Sequence, residues 1–231
     1  MKGWFTIMNI IPFFIMYFFV YETIYFSDID EYRIIFKALS SFCFLICAVL
    51  SYRKSRTSKK YSYLIISALF FCLLGDIIIT HPINNALILG ASAFAIGHIL
   101  FIIAFSIFSC IHLKDIIISS FITAAFTFFI THNPNFHLEN KLSISCIYCF
   151  IISFMLIKSL YLFKLRKINS FFTCFTILGA SLFFISDFVL SFDIFLINAP
   201  KYINAINLIL YYSGQGILAL SLSDTQLSSS N

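Results

Sequence analysis

The sequence predicts an all-α fold: a polytopic membrane helix bundle of eight transmembrane helices with both termini cytoplasmic. Three observations predict it. Of the 231 residues, 61% are hydrophobic and 11% charged, against about half apolar and about a quarter charged in soluble domains. The apolar residues are gathered into runs divided by short polar connections, and a crossing of about 20 residues plus a connection leaves room for about eight spans. The basic residues recur in every second connection. A bilayer demands internally bonded backbone, which leaves helices or a barrel. Runs such as Leu64 to Leu74 and Ile144 to Leu156 lack the apolar-polar alternation of barrel strands.

The eight helices are expected at 4–25, 32–52, 61–80, 84–108, 112–131, 141–163, 171–196 and 201–222. The first follows Met1-Lys2-Gly3 like a secretion signal, yet Val20-Tyr21-Glu22-Thr23 offers no small-residue cleavage site, so it reads as a retained span. Lys2, the cluster Arg53, Lys54, Arg56, Lys59 and Lys60, then Lys114, and Lys164 with Arg166 and Lys167, all fall on one side of an eight-span chain. By the positive-inside rule that side is cytoplasmic. Asp28, Asp30, Glu31 and Glu139 fall on the other. Pro82, Pro134 and Pro200 lie in the outer connections, and Pro12 in the first helix. Residues 1–222 form the transmembrane domain, and 223–231 are a polar, disordered tail. The setting these features suggest is a bacterial inner (cell) membrane.

The formal net charge of +5 is topogenic and excludes nucleic acid as the expected partner, with membrane lipids in its place. The cysteines Cys43, Cys47, Cys72, Cys110, Cys146, Cys149 and Cys174 avoid the outer connections, so no disulfide framework is implied. Cys146 and Cys149 form a CxxC without a second pair or a nearby histidine, which reads as packing. No metal and no cofactor is expected.

Ionisable residues inside a membrane cost at least about 2.5 kcal/mol and mark function by default. Here they are Lys37, Asp76, His98 and Asp187, joined by Tyr211, Tyr212 and Gln215 on the last helix. Lys158 lies near a cytoplasmic helix end and is expected to snorkel out. A rise of about 1.5 Å per residue puts Lys37 and Asp76 roughly 6–8 Å below the outer helix ends, Asp187 nearer 14 Å, and His98 and Gln215 about 21 Å, as if lining one narrowing pocket. Structural readings stand beside this: Asp76 paired with Lys37, His98 as a hydrogen-bonded packing residue, Gln215 as interhelical glue. The segment Gly90 to His98 also echoes Gly179 to Asp187 in helices that cross in opposite directions, as an inverted repeat would, or as shared small-residue packing would.

Leu74-Gly75-Asp76, Gly90 through His98, Gly179 through Asp187, and Tyr211-Tyr212-x-x-Gln215 resemble the YhhN family, membrane lysoplasmalogenases. Lys37, Tyr148 and Met155 extend the resemblance, while Phe101 and Ala38 depart from it, standing where the family often has tyrosine and proline. The resemblance implies a lysophospholipid substrate whose vinyl ether is hydrolysed to a fatty aldehyde and a glycerophospho-ethanolamine or -choline. A vinyl ether is cleaved by protonating its β-carbon and capturing the oxocarbenium ion with water, work that two carboxyl groups can divide. The expected catalytic residues are Asp76 and Asp187 as acid and base, with His98 tuning the donor or positioning water. Lys37, Tyr148, Tyr211, Tyr212 and Gln215 are expected to bind substrate, Lys37 through the phosphate. The competing reading is a small transporter or lipid-handling protein without hydrolase activity.

Overall fold

The computed structural model describes residues 7–54, 58–138, 141–164 and 170–223. Lys2, Arg56, Glu139, Arg166, Lys167 and the tail from 224 lie outside the described residues, as do the side chains of Lys54 and Lys164. Eight α-helices run in order: α1 (Ile7–Tyr25), α2 (Asp30–Lys54), α3 (Lys59–Thr80), α4 (Ala86–Ser106), α5 (Leu113–His132), α6 (Leu142–Tyr161), α7 (Ser170–Phe195) and α8 (Lys201–Ser221). Seven are long and apolar enough to cross a membrane, and the described part of α1 is a shorter apolar helix. Every end falls within a few residues of expectation, and the shifts have local causes. Asp30 and Glu31 start α2 early because acidic side chains favour a helix N-terminus. Asn85 takes a left-handed φ of 61°, which delays α4 to Ala86.

Side chains sort as a bilayer requires. Phe14, Phe18, Phe121, Phe128 and Phe163 are exposed, whereas Asp76, His98, Asp115, Lys158 and Gln215 are buried. Polar groups therefore turn inward and hydrocarbon turns outward, the reverse of a soluble fold. At one end Tyr61 of α3 packs edge-on against Phe108, after α4, and Phe172 of α7. Exposed Arg53, Lys59, Lys60 and Lys114 gather there. At the other end Lys201 pairs with Asp28 at 2.8 Å. There too an antiparallel bridge, Phe136 to Leu196, ties the α5–α6 connection to the end of α7. The even number of helices brings the start of α1 and the end of α8 to the basic end, the cytoplasmic one by the positive-inside rule.

Lys158 corrects the snorkelling expectation: its side chain is 0% exposed. Its ammonium donates to the carbonyls of Ser109 (3.1 Å) and Cys110 (2.8 Å) and lies 3.5 Å from Asp115 Oδ2. Asp115 also accepts the backbone N–H of His112 at 3.0 Å, closing a capping box at the start of α5. With these acceptors inside the bundle, turning outward would leave a buried carboxylate unpaired. The group staples α5 and the connection before it to α6.

The tightest helix pairs are α3 with α4 and α7 with α8, and small residues explain them. A Cβ on Gly90 would lie 2.9 Å from Ile79 Cβ, and one on Gly179 would lie 3.0 Å from the Gly214 carbonyl oxygen, so only glycine permits either crossing. The two echoing segments thus share a packing task, but α4 packs on the helix before it and α7 on the helix after it. Among the described residues no helix from α2 to α8 is broken at mid-span, unlike the discontinuous helices at many transporter sites.

Candidate functional site

Besides the Lys158–Asp115 pair, two polar clusters lie within the bundle among the described residues, one around Asp76 and one around Asp187. In the first, Asp76 on α3 sits 3.3 Å from the Lys37 ammonium on α2. Ser41 and the Tyr211 hydroxyl both donate to Asp76 Oδ2, at 2.6 and 2.7 Å. Tyr212 donates to the Lys37 backbone carbonyl at 3.0 Å and meets Ser41 Oγ at 3.1 Å. Four turns of three helices are thereby tied together around one buried carboxylate, as a low-dielectric interior requires of any charge it holds.

In the second cluster the Tyr148 hydroxyl on α6 donates to Asp187 Oδ2 on α7 at 2.5 Å. His98 on α4 brings Nε2 to 3.0 Å from that hydroxyl and 3.4 Å from Oδ2. The single Tyr148 proton is committed to the carboxylate, so the contact with His98 places the donor on Nε2. Nδ1 faces Met155 Sδ at 3.2 Å, and the ring tilts on Phe183 with centroids 4.5 Å apart. Asn207 fixes the neighbouring turn by donating to the Ser186 carbonyl at 2.7 Å. Asp187 Oδ1 receives only a 3.4 Å contact from Ser186.

Depth along the helices placed His98 and Asp187 several ångströms apart, yet they touch. Helical side chains lean toward the N-terminus of their helix. α4 begins at the acidic end and α7 at the basic end, so His98 reaches up and Asp187 reaches down until they meet.

Beside the second cluster lies a cavity of about 500 Å³ between α4, α5, α6 and α7. Its wall is almost wholly hydrocarbon, from residues such as Ile88, Ala91, Phe94, Ala125, Ile152 and Phe188, and Tyr148 and Asp187 reach it. Two aromatic pairs, Phe126 with Phe188 and Phe129 with Phe192, hold α5 to α7 at the acidic end. α5 packs its backbone closely on α6 and not on α4. Phe121 of α5 lines the cavity and is still 73% exposed.

Of the expected site residues, Asp187 and Tyr148 stand on the cavity wall, with His98 behind them. Lys37, Asp76, Tyr211, Tyr212 and Gln215 do not stand on that wall. Tyr211 links the clusters instead, meeting Phe94 of the wall at 6.0 Å and Phe183 at 5.3 Å between ring centroids. Asp76 does not line this cavity, and among the described residues the two aspartates share no hydrogen-bond partner. Gln215 is 0% exposed and stands against the Cys72 thiol, and neither amide atom makes a regular hydrogen bond among the described residues. Among the described residues no group of three or more metal-ligating side chains is present. Cys146 Sγ meets Thr127 Oγ1 at 3.2 Å and Cys149 Sγ meets Ser153 Oγ at 4.0 Å.

The sequence model of the YhhN family matches residues 32–222, well over half of the chain. This chain belongs to the YhhN family. No curated protein and no solved structure matches it. The matched stretch runs from α2 to the end of α8, so both clusters and the whole cavity are features of a YhhN protein, while α1 lies outside the match. One residue of interest escaped the sequence reading: Lys141, at the start of α6, lines the cavity. It is the first residue of the expected sixth helix and was not among the candidates, and only its spacing of seven from Tyr148 on a shared helix face hinted at a role.

Proposed function

We propose that this YhhN protein is a membrane hydrolase that cleaves the vinyl ether of lysoplasmalogens, releasing a fatty aldehyde and a glycerophospho-ethanolamine or -choline. The observation that carries the reading is a hydrogen-bonded carboxylate, tyrosine and histidine at the wall of an intramembrane hydrocarbon cavity, in a family associated with this activity. Such a cavity suits a single aliphatic chain.

In this mechanism Asp187 carries the proton and delivers it to the β-carbon of the vinyl ether, with Oδ1 as the oxygen left for the transfer because Tyr148 holds Oδ2. The C=C electron pair forms the new C–H bond, and positive charge spreads over the α-carbon and the ether oxygen. A water adds to the α-carbon and returns its proton to the Asp187 carboxylate, giving a hemiacetal and restoring the acid. Moving the hydroxyl proton to the ether oxygen then breaks the C–O bond to give aldehyde and glycerol hydroxyl. Tyr148 and His98 position the carboxylate and supply a relay for that last transfer. In this scheme Gln215 holds a buried water beside the Cys72 thiol, a role open to an amide that makes no regular hydrogen bond to the described residues. Asp76 has a positioning role in this scheme, holding Tyr211 against Phe94 and Phe183 while Lys37 balances its charge.

The test is incubation of the purified protein with 1-alkenyl, 1-alkyl and 1-acyl lysophospholipids. Aldehyde from the alkenyl lipid, with no alcohol or fatty acid from the others, is expected. Fatty acid from the acyl lipid, or no product from any, overturns the reading.

A further inference from the structure

The cavity wall carries two charged side chains, Asp187 and Lys141. Lys141, Ser145, Tyr148 and Ile152 follow one another along α6 at spacings that share a face, and all four line the cavity. From Lys141 to Tyr148 the helix rises about 10 Å, with Lys141 at the acidic end of the bundle and the carboxylate deeper in. A ligand that fills this space has an anionic group at the rim, an apolar body, and its reactive carbon about 10 Å below the rim. In a 1-alkenyl lysophospholipid seven bonds separate the vinyl β-carbon from phosphorus, a span of about 8–9 Å when extended, at bond lengths of about 1.5 Å. Lys37, the residue expected to hold the phosphate, does not line this cavity.

We infer that Lys141 is the specificity-determining residue for the lipid headgroup, its ammonium engaging the phosphate of a lysophospholipid whose double bond lies at Asp187. This rests on the hydrolase reading above for the identity of the reacting bond. The aliphatic chain continues past Tyr148 and leaves between α4 and α5, where the helices are not closely packed and half-inserted Phe121 is the only aromatic ring of the wall so widely exposed. An ammonium is suited to this as a compact charge on a flexible stem, able to follow phosphate at the rim while its methylenes cover the hydrocarbon below.

The test uses ligands that cannot be cleaved, so that binding is read apart from chemistry. The purified full chain, in nanodiscs of neutral lipid, is titrated with a 1-alkyl lysophosphatidylethanolamine, with the matching 1-alkylglycerol lacking phosphate, and with inorganic phosphate. Lys141→Ala is expected to weaken the phospholipid about tenfold, the size of one charge-assisted hydrogen bond, and to change alkylglycerol binding less than about twofold on the same scale. Lys141→Arg should retain phospholipid binding, which shows that the position folds. Equal losses for both lipids would make Lys141 structural and overturn the inference, as would unchanged phospholipid affinity in Lys141→Ala. Inorganic phosphate binding as tightly as the phospholipid would overturn it too, identifying a free-phosphate site. Phospholipid binding that depends on Lys141, together with no aldehyde from the alkenyl lipid, would sink the hydrolase reading and leave the headgroup site standing.

Discussion

At the scale of single residues, the two aspartates have different neighbours and so predict different phenotypes. Asp187→Asn should reduce aldehyde release by about a thousandfold or more, the order expected when a group carries the proton in the transition state, with little change in melting temperature. Tyr148→Phe removes the 2.5 Å donor and should lower turnover by about ten- to a hundredfold while lipid binding persists. Lys37→Ala leaves the Asp76 carboxylate buried without its counter-charge, and should cost about 3–5 kcal/mol of stability. The double variant Lys37→Met with Asp76→Asn removes both charges and should recover most of that loss in a thermal-unfolding assay. If Asp76 were instead the proton donor, the double variant would be stable and wholly inactive. Gln215→Leu separates two roles: putting hydrocarbon in place of an amide that makes no regular hydrogen bond to the described residues should raise the melting temperature, while a lost water seat should depress aldehyde release. A stable and fully active Gln215→Leu would reduce Gln215 to packing.

Among elements, α5 is the odd member. Its mid-span faces lipid, and it is anchored at its ends: by Lys158 and Asp115 at the basic end, and by the rings of Phe126, Phe129 and Phe136 at the acidic end. Lys158→Ala should therefore cost about 3–5 kcal/mol and release the start of α5, read as faster hydrogen exchange at residues 112–120. The rigid elements are the α3–α4 and α7–α8 pairs, where backbones touch through glycine. Gly179→Leu should separate α7 from α8 and abolish folding, because the added side chain has the Gly214 carbonyl and Leu218 in its path. These elements were legible in the sequence because hydrophobic runs, short connections and charged flanks are one-dimensional signals, and each helix end fell near its expected place. The burial of Lys158 was not legible: its partner Asp115 lies on another helix, and no local pattern announces a contact between them. The same applies to His98 with Asp187, where depth along each helix misled until the opposed lean of the side chains was taken into account.

At the scale of the molecule, the bundle holds a hydrocarbon cavity between α4, α5, α6 and α7. Filling it with Ala91→Phe should block lysophospholipid binding while the protein keeps its melting temperature, since the cavity has room for the ring. The topology is testable as well: Cys110 is exposed in the α4–α5 connection at the basic end, so an impermeant thiol reagent should label it in inverted vesicles and not in intact cells.

By itself the sequence determined the helical membrane bundle, its number of elements, and most of the polar residues held inside, Lys158 and Asp115 excepted. It could do so because a bilayer imposes one constraint on every segment, hydrocarbon outside and satisfied backbone within. Only the tertiary structure decided how those residues divide. It gave Asp76 to Lys37, Ser41 and Tyr211, gave Asp187 to Tyr148 and His98, and opened the cavity toward Asp187, Tyr148 and Lys141. Partnership between buried polar groups depends on which helix faces meet and which way their side chains lean, and both are properties of packing rather than of any one segment.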